Sequence, residues 1–187
     1  MPEDLIVRHC SPTLAGLKTG NLFSCSFTEK EELFCDIRVI NKKLVPKGLR
    51  LIPLNYSNGR ALLYLFRPKK LKADLSEEST AQMLKCRGYS TDRVDRCVNQ
   101  LAGKLCCENE FPHEIGLFLG YPPEDVKGFI ENRASDCKCV GCWKVYGDVK
   151  SAEKQFGKYK KCTAVYCSQW AKGTSIEHLA VGDAIKR

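Results

Sequence analysis

The feature that most constrains the fold is a short break between two apolar runs. Residues 49–56 and 60–67 flank Ser57-Asn58-Gly59. An Asn-Gly pair accepts the positive φ angles of a tight turn whose twist matches paired strands, so the spacing predicts an antiparallel hairpin. Pro53 has no N–H to give to a ladder, which places the first strand at an edge or at a bulge. In the second strand Leu62, Tyr64 and Phe66 alternate with Leu63 and Leu65, so neither face is polar. Such a strand is expected to be covered on both sides.

Helical patterns surround the hairpin. Ser11-Pro12 reads as an N-cap followed by proline at N1, opening a helix with Leu14, Leu17, Leu22 and Phe23 on its apolar face and Gly20 weakening its end. Leu33, Phe34, Ile37, Ile40 and Leu44 recur at helical spacing over 29–43, and Pro46 and Gly48 stop that helix. A basic connector or short helix follows Pro68. Ser76 is expected to cap a helix running to Gly88, and Thr91 to start another carrying Val94, Cys97, Val98, Leu101 and Leu105. Pro112 reads as N1 of a short helix ended by Gly120, and Pro122 or Pro123 as the start of the next. Residues 139–146 read as a third strand, 150–172 as a final long helix ended by Gly173, and 175–181 as a last turn.

No repeat, low-complexity tract or linker divides the 187 residues, so a single domain over 1–187 is expected. The fold class expected is α+β: a small antiparallel sheet with the Asn-Gly hairpin, surrounded by six to eight helices. The longest apolar run, 61–66, is far too short to span a bilayer, so no membrane partner is expected. MPEDLIVRHC contains no apolar segment of a secretory signal, which makes a cytoplasmic protein the expectation. Twelve cysteines then read as reduced thiols, either small core hydrophobes or metal ligands, and suggest an anaerobic or strongly reducing host. The net charge of +8 brings no base-reading motif with it. Lysines at 150, 154, 158 and 161 make a solvated helix face, so nucleic acid is not the expected partner.

The densest chemistry lies in FPHEIGLFLGYPPEDVKGFIENRASDCKCVGCWKVY, residues 111–146. Cys137, Cys139 and Cys142 form a Cys-x-Cys-x-x-Cys cluster, and a Cys-x-x-Cys with glycine before its second thiol can fold as a metal knuckle. A fourth ligand would come from Cys162, Cys167 or His113. Cys162 and Cys167 are five apart, about 140° around a regular helix, and cannot both chelate one ion. The bland alternative is half-buried strand cysteines. Cys10 is read as lying just before a helix N-terminus, where the partial positive charge favours a thiolate. His113 followed by Glu114 supplies a base and its orienter.

The same residues carry a family resemblance. His9-Cys10-x-Pro12-Thr13-Leu14-Ala15-Gly16-x-Lys18, Phe111 through Pro122, Trp143-Lys144-Val145-Tyr146 and Cys162-x-x-Val165-Tyr166-Cys167 resemble domain of unknown function 3793, a bacterial family of clostridia and other anaerobes. The resemblance covers nearly the whole chain and implies no activity. Its pattern includes His9, Cys10, Lys18, His113, Glu114 and Cys162. It leaves Cys137 and Cys139 out and often has an aromatic residue at Cys142. That shifts weight from the cysteine cluster to the His-Cys and His-Glu pairs.

The function expected is binding of a transition metal, Zn or Fe, or a similar soft ligand through His9, Cys10, His113, Glu114 and Cys162, with Cys137, Cys139 and Cys142 as weaker ligands. The enzyme alternative is a cysteine-dependent transferase or hydrolase, with Cys10 attacking, His113 as base and Glu114 orienting it. A third reading is a structural or partner-binding protein without a chemical site.

Overall fold

A computed structural model describes residues 3–107 and 111–183. The fold is α+β, and the chain divides into two compact units, 1–69 with 161–187, and 70–160. Among the described residues there are nine α-helical segments, two of them a single turn long, with one three-stranded and one two-stranded antiparallel sheet.

The first unit begins with α1, Glu3–Leu14, followed by β1, Gly20–Ser26, and α2, Lys30–Leu44. The hairpin strands are β2, Arg50–Ser57, and β3, Arg60–Phe66. Asn58 (φ 49°) and Gly59 (φ 71°) turn the chain as the Asn-Gly pair requires. The sheet order is β1-β3-β2, so β3 is central and β2 is an edge strand with a register shift between Pro53 and Asn55. Both expectations for Pro53 are met at once. Leu63 and Leu65 join one apolar core with Ile6, Val7, Leu14, Leu33, Ile37 and Leu51, while Tyr64 and Phe66 are equally buried.

The start of the chain departs from the pattern read in the sequence. Ser11-Pro12 does not open a helix; both residues lie in the last turns of α1, and the Ser11 hydroxyl donates to the Val7 carbonyl. Ile6, Val7, Cys10 and Leu14 recur at helical spacing and are wholly buried, and Glu3 and Asp4 lie in the first turn, where carboxylates suit the helix dipole. Burial of that stripe outweighs a proline whose lost bond falls near the helix end. Leu22 and Phe23 belong to β1, paired with Tyr64 and Leu63, not to a helix. Phe23 and Cys25 are buried there and Ser24 and Ser26 exposed, a period-two pattern. Gly20 is needed at the start of β1, since a Cβ there would lie 2.4–2.9 Å from atoms of the Tyr64 ring if one is drawn, too close for any side chain.

Arg67, one residue past β3, is 2% exposed. Its guanidinium donates to the carbonyls of Thr13 (2.8 Å), Leu14 (2.8 Å) and Val181 (2.7 Å) and to Asp183 Oδ1 (3.0 Å). The first two of these bonds reach carbonyls at the C-terminus of α1 that have no partner within the helix.

The second unit contains most of α3, Pro68–Ser76, then α4, Glu78–Cys86, and α5, Val94–Cys107. The cap of α4 is Glu77 rather than Ser76: its carboxylate accepts from the Ser79 and Thr80 amides. After α5 come α6, Ile115–Phe118, and α7, Pro123–Glu131, then β4, Cys139–Val140, and β5, Lys144–Val145. The long helix α8, Val149–Ala171, begins in this unit and ends in the first, followed there by α9, Ile176–Leu179. No helix among the described residues is long and apolar enough to cross a membrane.

Candidate ligand-binding site

The stretch 111–146 folds around one carboxylate. Pro122-Pro123 starts α7 as the sequence suggests, which puts Glu124 and Asp125 in the first turn. Asp125 is only 3% exposed. Its Oδ1 accepts the backbone N–H groups of Tyr146 (2.7 Å) and Gly147 (2.7 Å), and its Oδ2 accepts the Trp143 indole N–H (2.6 Å). Hydrogen bonds to a buried charge are each worth about 1.5–3 kcal/mol net. They are needed here, because β4 and β5 pair over two residues each and so short a hairpin is not stable by itself. The single third strand expected over 139–146 is therefore a reversal. Gly141 allows it, since any Cβ at that position would run into the Phe156 ring.

The loop entering this hairpin is strained. Arg133, Ala134 and Asp136 have φ of 48°, 63° and 55°, each costing a non-glycine residue about 1 kcal/mol or more. Side chains from beyond the turn hold it: Lys144 Nζ donates to the Ala134 carbonyl (2.6 Å) and the Tyr146 hydroxyl to the Ser135 carbonyl (2.9 Å).

Between α6, α7 and the hairpin lies a cavity of about 350 Å³, lined wholly by residues from 111–144. Phe111, Tyr121, Phe129 and Trp143 line it, with His113 and Lys144. Tyr121 and Trp143 stack at 4.9 Å, and Phe156 meets the indole edge-on at 4.6 Å. Tyr121 donates its hydroxyl to the Cys142 carbonyl (3.2 Å), and burial pushes its phenol up to about 12. Contacts within the chain thus hold the Tyr121 and Trp143 rings. This is the size and lining of a small-molecule site.

The residues singled out in the sequence fall into separate environments. His9, Cys10 and Cys162 belong to the first unit, and His113, Glu114, Cys137, Cys139 and Cys142 to the second. Cys10 is fully buried near the C-terminal end of α1, not before an N-terminus, so the helix dipole opposes a thiolate. Burial drives its thiol far above the ordinary range. His9 is exposed, its ring parallel to that of Phe23. Cys162 is half-buried in α8, and burial raises its thiol too. Adjacent in sequence, His113 and Glu114 do different work. Glu114 is 6% exposed and accepts the Tyr89 hydroxyl (2.9 Å), with Arg87 Nε at 3.6 Å. His113 is exposed and lies edge-on to Phe129 at 5.0 Å, on the cavity wall. Cys137 and Cys139 are half-buried and Cys142 is exposed. Among the described residues, no three His, Cys, Asp or Glu side chains form a group that could hold a metal ion.

Reading for nucleophiles and metal ligands passed over Tyr121, Asp125, Phe129, Trp143 and Lys144. The available signal was the aromatic density of 111–146 beside an aspartate in a proline-started helix.

A family model described as a protein of unknown function (DUF3793) matches residues 6–180. No curated protein and no solved structure matches the chain.

Proposed function

The chain belongs to the DUF3793 family, and on that premise we propose that it is a small-molecule-binding protein whose second unit holds a compact, largely apolar ligand. The observation that carries this reading is the cavity of about 350 Å³, with four aromatic side chains in its wall. Asp125 supports it by fixing the Trp143 indole and the backbone behind it. The cavity is favoured over the metal or soft-ligand site because groups that site would use are otherwise engaged. Cys10 is sealed in a core, and the Glu114 carboxylate is taken by Tyr89 and Arg87. The same burial weighs against Cys10 as a nucleophile, since the thiolate is the reacting species. Cys10, Cys137, Cys139, Cys142 and Cys162 are all free thiols, which suits a reducing cytoplasmic setting.

Trp143 reports on the test directly once the other tryptophan is removed as Trp170→Phe. Benzyl alcohol should change the Trp143 emission saturably, with Kd on the order of 1 mM, as expected for a ligand of that size. No saturable change in a folded sample would sink the reading. On the same sample, a thiol reagent at neutral pH should label Cys35, Cys86, Cys106 and Cys142 well before Cys10. Labelling of Cys10 first would restore the nucleophile.

A further inference from the structure

The two opposite charges on the cavity wall differ in what they have left to offer a ligand. Three side chains there can carry charge: Asp125, His113 and Lys144. Asp125 is committed, with one oxygen shared by two backbone N–H groups and the other on the Trp143 indole. A ligand cation would have to compete with those three donors for a buried carboxylate. Lys144 is in the opposite position. An ammonium has three N–H donors, and the bond to the Ala134 carbonyl uses one. Its Nζ lies 5.9 Å from the Phe129 ring centroid, so the cation stands beside an aromatic wall of the same cavity. The carbonyl that holds it belongs to the strained loop at Arg133, Ala134 and Asp136. Locally unfavourable backbone is thus kept in a form that anchors one cation at the cavity. Non-glycine residues with such φ values persist only where surrounding structure over-determines them.

We infer that the cavity selects a carboxylate that carries an aromatic ring, its ring among Tyr121, Phe129 and Trp143 and its carboxylate on Lys144, with His113 at the open side. This rests on the cavity being the ligand site, and it adds the ligand's charge and the residue that reads it. The volume suits one or two rings, because an apolar cavity of about 150 Å³ already admits a benzene. A hydrogen-bonded ion pair on a half-buried cation discriminates more strongly than the same pair in water.

Three probes with one ring and different charge test this in the Trp170→Phe background: phenylacetate, phenylacetamide and phenethylamine, followed by Trp143 emission at neutral pH. Phenylacetate should bind about tenfold more tightly than phenylacetamide, as one charge-assisted bond predicts, and phenethylamine should bind most weakly. Lys144→Met should bring the phenylacetate to phenylacetamide ratio to about one, and Lys144→Arg should keep it above one. Phenylacetamide binding as tightly as phenylacetate would overturn the charge assignment and leave the cavity reading standing. A tenfold ratio that survives Lys144→Met would overturn Lys144 as its reader. If none of the three binds, the cavity reading falls with it. The wild-type comparison among the probes decides the charge question even if Lys144→Met does not fold.

Discussion

Each unit sets one buried charge where irregular chain must be tied to a regular element, and the two charges leave different results. In the first unit the charge is a cation. Arg67 donates to four carbonyls, that of Lys47 at 3.5 Å among them, and to Asp183, joining the end of α1 to residues 181–183 over a continuous apolar core. In the second it is an anion. Asp125 accepts two amides and an indole, joining α7 to a hairpin of two residues per strand. A charge can be buried only if it is well hydrogen-bonded, and both meet that condition. The difference lies in what the tied segment covers. Arg67 completes a core, whereas Asp125 fixes the Trp143 indole in the wall of a cavity. A polar clamp can therefore close a structure or keep part of it open, depending on how much apolar side chain lies behind it.

Arg67→Met should be the most damaging change, because it removes every donor at once and leaves Asp183 and four carbonyls facing an apolar side chain. A loss of about 3–5 kcal/mol in urea unfolding is expected, as for other broken buried pairs. A loss below about 1 kcal/mol would mean that water reaches those groups and that Arg67 is not the clamp. Asp125→Asn comes next. An amide keeps the shape but turns a donor toward one of its three donor partners, for a cost of about 2 kcal/mol. Trp143 emission should shift as the indole loses its acceptor. If stability falls with no change in that emission, the clamp and the cavity wall are independent. The smallest effect is expected at Glu77, whose exposed carboxylate accepts from the amides and hydroxyls of Ser79 and Thr80. Those bonds, chiefly with the two hydroxyls, hold it down to about 2 from 4.5. Its contribution is thus fully present above pH 4.5 and is lost as pH falls toward 2. Amide exchange at Ser79 and Thr80, corrected for intrinsic rates, should quicken over that window in the wild type and not in Glu77→Gln. An identical pH profile in both would mean that the Glu77 carboxylate does not cap α4.

Much of the fold was legible because local chemistry decides it. Asn58-Gly59 could turn the chain without strain. Helix α2 had one apolar stripe and a proline beyond its end. Gly120 and Gly173, at φ of 73° and 87°, follow the helices they were expected to end. The beginning of the chain was misread because two patterns overlap there. Leu14, Leu17, Leu22 and Phe23 can be drawn on one helix, yet Leu17 is exposed and Phe23 belongs to a strand. The alternation of Phe23 and Cys25 with Ser24 and Ser26 was the better guide, but four residues of alternation compete poorly with a proline signal.

The site was legible only as a region. Residues 111–146 stood out by composition, and every residue lining the cavity comes from within them. Which side chains would converge was not readable. Neighbours such as His113 and Glu114 look like a catalytic pair in sequence, yet their side chains leave the backbone in different directions, one to Phe129 and the other to Tyr89 and Arg87. Nor does anything in Arg133-Ala134-Ser135-Asp136 announce a left-handed backbone, since none of these is glycine.

By itself, the sequence determined the family, the α+β class, the hairpin, most helix ends and the stretch in which the site lies. Each depends on residues a few positions apart or on a long shared pattern. Tertiary structure alone decided that Cys10 is sealed, that Asp125 faces inward and that Trp143, Lys144 and Phe129 share a wall. Those outcomes depend on which groups burial leaves without water, and a buried polar group takes whatever partner the fold brings to it.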